Sequence, residues 1–436
     1  MLSEHDTELL ARIGPGTPMG TLFRRFWIPV LLSDELPEPG CPPVAVRILG
    51  EDLVAFRDTE GKVGVLEAYC AHRHAHLYWG RNEDCGLRCT YHGWMYDIDG
   101  NCIEMPNELE DSDFKDRIKI TSYPARDWGG VIWAYMGPAE LMPPEQPQFE
   151  WARVADSHRI ATKRLQESNW AQAVEGGIDS SHVSFLHRSV FRPDAAGVPP
   201  AVNQQIQAMT ADKAPRFWIS QRDFGFLAAA QRRTEDDKFY WRITPYLTPM
   251  YTIIPGLGVE GSSLSGHAWV PIDDEHVWTF TFTWNPTRPI TAEERETQMQ
   301  GFGIHTEVDK DVTRWDLKIS NAFRPVRNAE NNYMIDREEQ RTRSFTGIKG
   351  ISEQDMSIQE SMGKVSPRWK EHLGTTDKAI LEFRRLMLAA CRNLMEGKEP
   401  PQPHNPDAYR ARSAAIVIDK TVPWEDGSME AVQARV

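Results

Sequence analysis

Cysteine is scarce, with only six in 436 residues, too few for the disulfide frameworks that hold small secreted domains together. Long apolar runs are missing too. A stretch such as VIWAYM from Val131 falls far short of the roughly 20 residues that cross a bilayer. The first residues, MLSEHDTELL, are acidic and have no basic-then-apolar leader, so no secretory signal is expected and the chain is placed in the cytoplasm. Basic residues are outnumbered, 49 Lys and Arg against 63 Asp and Glu, for a net charge of −14. That balance argues against a phosphate backbone as the main partner, because nucleic-acid binding needs a cationic surface. No internal repeat or low-complexity tract is present. With 40% hydrophobic and 26% charged residues, the composition is that of a folded globular chain, long enough for two or three domains.

Periodicity divides the chain. The first thirty residues read as a short helix capped by Ser3 and stopped at Gly14-Pro15-Gly16. From Pro43 the period becomes two: Val44, Val46 and Ile48 alternate, and runs from Leu53, Val63 and Val131 follow between turn signals. Pro138, Pro143, Pro144 and Pro147 form a stiff connection. The expected divisions are therefore a helical segment over 1–39, a small antiparallel β domain over 40–140 and a mixed domain over 141–436. In the last, residues 239–254 and 276–284 read as strands. The clearest helix opens at Thr376 or Asp377 and runs to about Met395, with Phe383, Met387 and Cys391 on one face. The last forty residues are expected to wrap over the surface.

Four of the six cysteines fall in one short window, and two of them keep company with histidine: Cys70-Ala71-His72 and Cys89-Thr90-Tyr91-His92, sixteen residues apart. A zinc finger usually segregates its cysteines from its histidines. Here each loop mixes them, which suits a two-iron cluster with both sulfurs on one iron and both imidazoles on the other, the ligand set of a Rieske [2Fe–2S] centre. A Cys2His2 zinc site, or buried cysteines with incidental histidines, are the competing readings. Cys85 has no histidine at matching spacing and reads as a small buried residue. His74 and His76 read as neighbours of the cluster rather than ligands.

A second constellation lies in NWAQAVEGGIDSSHVSFLH. Asp179 and His182 share a helical face, and His187 reaches the same point if the helix breaks or tightens between the two histidines. Two histidines and one carboxylate form the facial triad that leaves positions open on non-haem Fe(II). For the carboxylate, Asp309, Asp311, Asp316 and Asp336 are available, but Asp355 in EQDMSIQESMG is chosen; its alternative role is a helix cap.

On these residues the sequence resembles the oxygenase component of the Rieske non-haem iron aromatic-ring oxygenases, in particular the phthalate 4,5-dioxygenase-like group, which includes aromatic-acid O-demethylases. CAHR with CTYHGW, the NWAQAVEGGIDSSHVSFLH segment and EQDMSIQESMG carry the resemblance, which covers nearly the whole chain. It implies an α+β chain with an N-terminal Rieske β domain and a C-terminal helix-grip catalytic domain, an antiparallel sheet curled around a helix. The implied cluster ligands are Cys70, His72, Cys89 and His92, and the implied ligands of a mononuclear Fe(II) are His182, His187 and Asp355. It further implies a homotrimer or stacked trimers, in which Asp179 bridges the cluster of one subunit and the iron of the next. Electrons would come from NADH through a separate reductase, directly or through a ferredoxin. With O2 they would drive ring hydroxylation or oxidative O-demethylation of an aromatic acid.

An aromatic carboxylate needs a cation inside the pocket. Arg242 is the residue chosen, with Arg216 as another candidate and a structural ion pair as the alternative role. Trp218, Trp241, Trp269, Trp278 and Trp284 suit either an aromatic pocket or a core. A Rieske-type electron carrier without oxygenase activity, and a zinc-stabilised binding protein, are the alternative functions.

Overall fold

Alternating apolar residues and tight turns build the N-terminal lobe. Strands Val44–Ile48, Glu51–Arg57, Val63–Glu67 and Ser122–Tyr123 form an antiparallel sheet in that order. The turn between the second and third closes on Asp58, whose side chain accepts from the N–H groups of Glu60 and Lys62. A second four-stranded sheet, Arg81–Glu83, Gly86–Arg88, Met95–Tyr96 and Cys102–Glu104, carries the loops that hold the cysteine–histidine pairs. The computed structural model describes residues 1–188, 200–234, 237–259, 261–301 and 303–436.

The N-terminal segment departs from its helical expectation partway along. Helices Glu4–Ala11, capped by Ser3, and Pro18–Phe23 are followed by strand Trp27–Leu32, fully buried and paired with Val131–Tyr135. The run WIPVLL is apolar and partly β-branched, and its partner is distant in sequence, so periodicity within the segment does not reveal the pairing.

Among the described residues the C-terminal part is built on one large antiparallel sheet of eight strands. Its path runs through Arg159–Gln166, Val277–Trp284, Leu264–Pro271, Tyr251–Ile254, Lys238–Leu247, Gly225–Arg233 and Arg216–Arg222, with Ala414–Asp419 also paired to Lys238–Leu247. The tail expected to wrap the surface thus contributes a strand. Helix Lys378–Met395 begins after Asp377, packs against strand Arg216–Arg222 and ends at Gly397, which takes the left-handed conformation. Helix Trp170–Ile178 lies across strands Tyr251–Ile254 and Leu264–Pro271, and Trp170 meets Phe383 of the longer helix edge to face at 5.7 Å. The architecture is α+β, with a β lobe in front and a sheet gripping helices behind.

Strand Val277–Trp284, VWTFTFTW, shows how one strand serves two faces. Period two sends Trp278, Phe280, Phe282 and Trp284 to one side, where Trp151 stacks on Phe282 at 3.6 Å. Thr279, Thr281 and Thr283 point to the other, where their hydroxyls meet Gln166, His267 and His305. That second face is polar although buried, and His267, which sits opposite Thr281, lines the cavity described below. One large core joins both parts of the chain, while Cys70, Cys89, Trp94 and Tyr96 belong to a separate small core in the β lobe. Among the described residues no helix is long and apolar enough to cross a membrane.

Candidate metal centres and active-site cavity

The two Cys–His loops share one hydrogen-bond frame. Cys70 N donates to Ala75 O at 2.9 Å and Cys89 N to Trp94 O at 2.8 Å. The N–H four residues after each cysteine returns to that cysteine's carbonyl, from His74 and Gly93, both at 2.9 Å. The loops face each other: the rings of His72 and His92 meet at 4.4 Å, and the Cys70 and Cys89 thiols lie close enough to shift each other's titration. His72 stacks on Trp94 at 4.6 Å, and Trp94 is itself held by donation to Asn107. The buried Nδ1 of His72 has no partner among the described residues.

Tyr96 Oη accepts from Ala71 N at 3.1 Å, so its own proton points to Cys70 Sγ at 3.2 Å. The contact from Cys89, with Tyr96 and the His72 N–H assisting, pushes the Cys70 thiol down to about 6. Two sulfurs and two imidazoles, one presenting an orphaned buried nitrogen, are a donor set that fits a [2Fe–2S] cluster with mixed ligands. His74 and His76 instead pack on Tyr69, at 4.2 and 5.1 Å. Cys85 is only half-buried, its sulfur 3.3 Å from Thr59 Oγ1; the left-handed turn at Asp84-Cys85 keeps it from the buried position expected.

In the second constellation the helix does break. Asn169 caps helix Trp170–Ile178, which stops at Asp179 in extended conformation; His182–Ser184 then forms a single 3-10 turn. Gly177 lets the helix approach the sheet, since a Cβ there would stand 2.8 Å from Thr252 Oγ1 and 3.0 Å from Trp269. Across the gap, helix Ile351–Ser361 brings Asp355. His182 Nε2 and His187 Nε2 are 3.1 Å apart, and Asp355 Oδ1 lies 3.6 and 3.3 Å from them. Three ligands about 2.1 Å from one ion, at right angles to each other, would stand about 3.0 Å apart.

The protons can be placed. Gln354 Nε2 donates to Ile348 O at 2.8 Å, so Gln354 Oε1 faces His187 Nδ1 at 2.8 Å and accepts its proton. The Asp179 carboxylate, 3.3 Å from His182 Nδ1, holds the proton there. Both imidazoles therefore turn bare Nε2 lone pairs toward each other and toward a carboxylate oxygen. Three electron-pair donors converge with no proton between them, an arrangement that calls for a cation. Burial opposes charging His182, but the hydrogen bond and charge of Asp179, backed by Asp355, raise its pKa. Among the described residues His182, His187 and Asp355 form the group able to hold a metal ion. Asp336 caps helix Arg337–Thr342 and Asp316 pairs with Arg314, while Asp309 and Asp311 are exposed. Gln354 was not anticipated: it stands beside Asp355 in the sequence, but nothing there tells which way its amide points.

The triad opens on a cavity of about 260 Å³ lined by apolar Ile254, Leu257, Trp269, Ile304 and Ile351 and by a few polar groups, among them Arg242 and His267. Arg242 is buried; it donates to Pro255 O at 2.7 Å and Gly256 O at 3.1 Å, and its Nε has no partner among the described residues. No described carboxylate pairs with it. Arg232 on the neighbouring strand, also buried, adds a like charge, and burial followed by Arg242 lowers its pKa to about 10. Arg216 lies at the exposed sheet edge. Of the candidate tryptophans only Trp269 reaches the cavity; Trp241, Trp278 and Trp284 are core and Trp218 is exposed.

Residues 26–124 match the family model described as Rieske [2Fe-2S] domain, and residues 134–435 match the one described as LigXa C-terminal domain like. The chain is 38% identical to the phthalate 4,5-dioxygenase oxygenase subunit of Pseudomonas putida, over 98% of its own length and 94% of that protein. It is 36% identical to the 3-chlorobenzoate-3,4-dioxygenase oxygenase subunit of Comamonas testosteroni, over 99% of both. The fold is similar to that of the NdmA QL mutant of Pseudomonas putida CBB5 solved with caffeine: TM-score 0.60 at 17% identity, covering 89% of this chain and 96% of that one.

Proposed function

This chain belongs to the Rieske non-haem iron oxygenases, as an oxygenase subunit, and from that premise we propose that it uses O2 to oxidise an aromatic carboxylic acid in the cavity beside His182, His187 and Asp355. The reaction is ring hydroxylation or oxidative O-demethylation. Cys70, His72, Cys89 and His92 hold the [2Fe–2S] cluster, and His182, His187 and Asp355 hold the mononuclear iron. When bound, the cluster stores one electron at a time and the iron activates oxygen. The observation that carries the reading is the convergence of two bare imidazole lone pairs and a carboxylate oxygen within 3.6 Å of one another.

Arg242 holds the substrate carboxylate. A buried guanidinium without a counter-ion among the described residues, with a second cation beside it, is costly, and an anionic ligand removes that cost. The two carbonyls of Pro255 and Gly256 fix the fork, and the apolar wall takes the ring and excludes water. The relatives named above act, by their names, on phthalate and 3-chlorobenzoate, both aromatic carboxylates.

Electrons come from NADH through a separate reductase, directly or through a ferredoxin. The subunits form a homotrimer or stacked trimers, in which Asp179 joins one subunit's iron histidine to the neighbour's cluster histidine. Its carboxylate holds His182 on one side and stays partly open to solvent. Light scattering should give three or six chains.

The test is a panel of phthalates, chlorobenzoates and methoxybenzoates with a suitable reductase. Acid-dependent O2 uptake is expected. A cis-diol product assigns dihydroxylation and formaldehyde assigns O-demethylation, whereas no acid-dependent uptake across the panel overturns the proposal.

A further inference from the structure

His267 projects from strand Leu264–Pro271 into the wall of the same cavity. In the sheet it stands directly opposite Thr281 on one neighbouring strand and Thr252 on the other. Its Nδ1 lies 3.1 Å from Thr281 Oγ1. Behind Thr281 sits Arg164, buried, with Nη1 3.4 Å from the same oxygen. A guanidinium can only donate, so Thr281 Oγ1 accepts from Arg164; among the described residues that hydroxyl has no other partner than His267, so it gives its own proton to Nδ1. The ring is thereby the tautomer with its hydrogen on Nε2. Burial first, then Arg164, keep its pKa well below the ordinary value, so the ring is neutral.

Nδ1 faces the sheet, and Nε2, at the far end of the ring, faces the cavity, where no described residue pairs with it. Trp269, two residues along on the same face, packs against the ring at 4.7 Å and is itself fixed by donation to Thr252 Oγ1 at 3.0 Å. The donor is thus aimed before any ligand arrives. Arg242 belongs to the same sheet. Thr252 pairs with both His267 and Tyr246, so Arg242 lies four residues further along its strand, about 13 Å at about 3.3 Å per residue. The cavity has a cationic anchor at one end and a neutral donor at the other.

We propose that His267 is a specificity-determining residue: its Nε2–H donates to a second oxygen acceptor on the ring of an aromatic acid whose carboxylate Arg242 holds. Acids with an ether, hydroxyl or carboxylate oxygen at that position are preferred to those of the same shape without one. This rests on the aromatic-acid reading of the cavity.

Matched pairs test it: 3- and 4-methoxybenzoate against 3- and 4-ethylbenzoate, close in shape and differing by one oxygen. Affinities are measured by calorimetry on the metal-loaded protein. The wild type should favour the methoxy member of at least one pair by about tenfold, the ordinary worth of one hydrogen bond. His267→Phe should bring that ratio close to one, and His267→Asn, which keeps a donor, should restore part of it. Thr281→Val, outside the cavity lining, should also lower the ratio because nothing then selects the Nε2–H tautomer; it decides the matter if the Phe variant loses iron. Arg242→Met should weaken all four acids alike.

A wild-type ratio near one overturns the proposal, as does a tenfold ratio that survives His267→Phe or, should that variant lose iron, Thr281→Val. If Arg242→Met still abolishes acid binding in those cases, the aromatic-acid reading stands without His267. If the wild type binds none of the acids, both fall together.

Discussion

His74 and Gly93 hold the same place in the two Cys–His loops: each donates its N–H to the carbonyl of its loop's cysteine at 2.9 Å, and each takes a left-handed φ, +58° and +81°. Glycine meets that demand freely, whereas histidine is held there at about 1–2 kcal/mol. Stacking of His74 on Tyr69 at 4.2 Å offsets part of that cost. His74→Gly should therefore shift the stability of the β lobe by no more than about 1 kcal/mol. Gly93→Ala combines backbone strain with a Cβ 2.5 Å from Pro106 Cγ, and should lower the thermal midpoint and the cluster content together. Visible absorption during a melt checks both.

Gln354 fixes the His187 tautomer by accepting from Nδ1 while donating to Ile348 O. Gln354→Leu should weaken Fe(II) binding by about 10–100-fold, the usual effect of removing the partner that orients a metal-bound histidine. Titration of the metal-depleted protein with Fe(II) measures it, and the cluster spectrum should not change.

Much of this was legible in the sequence because the signals are local. The Cys–His spacings, the helix after Asp377 and the alternation from Val44 to Leu66 each lie within a few residues, where periodicity and turn chemistry act. Long-range pairings were not legible. Strand Ala414–Asp419 completes the sheet beside Lys238–Leu247, yet its segment is rich in proline and charge. Strand Trp27–Leu32 finds its partner in Val131–Tyr135 only after folding. At the proposed iron site the histidines declared themselves by spacing, Asp355 is chosen from several aspartates for the helix-like stretch it opens, and Gln354 acts through an amide orientation that no sequence pattern encodes.

That late strand is anchored by a buried charge pair. Glu150 accepts from Arg412 Nε at 2.6 Å, from Arg412 Nη2, from Trp284 Nε1 at 3.0 Å and from Arg435 N at 2.6 Å. Arg412→Met leaves a carboxylate buried without its cation and should destabilise the catalytic part by about 3–5 kcal/mol. Glu150→Leu combined with Arg412→Met should recover much of that loss. Urea denaturation followed by tryptophan fluorescence compares the three proteins.

His305 is wholly buried between Thr162 Oγ1 at 2.7 Å and Thr283 Oγ1 at 2.9 Å. Burial, with Arg164 and Arg295 adding to it, pushes its pKa down to about 3. The unfolded chain takes up a proton near pH 6.5 that the folded one refuses. The stabilising contribution is therefore complete above about pH 6.5 and drains away as pH falls toward 3, by up to about 1.4 kcal/mol per unit. Between pH 6.5 and 5 the wild type should lose about 2 kcal/mol more than His305→Gln, read as the difference between their denaturation midpoints.

The iron content of His182→Ala tests the central claim most directly. The wild type should carry three irons per chain, two in the cluster and one at His182, His187 and Asp355. His182→Ala should carry two, keep the electron paramagnetic signal of the reduced cluster and lose acid-dependent O2 uptake by at least about 100-fold. Three irons per chain with undiminished uptake in that variant would contradict the account.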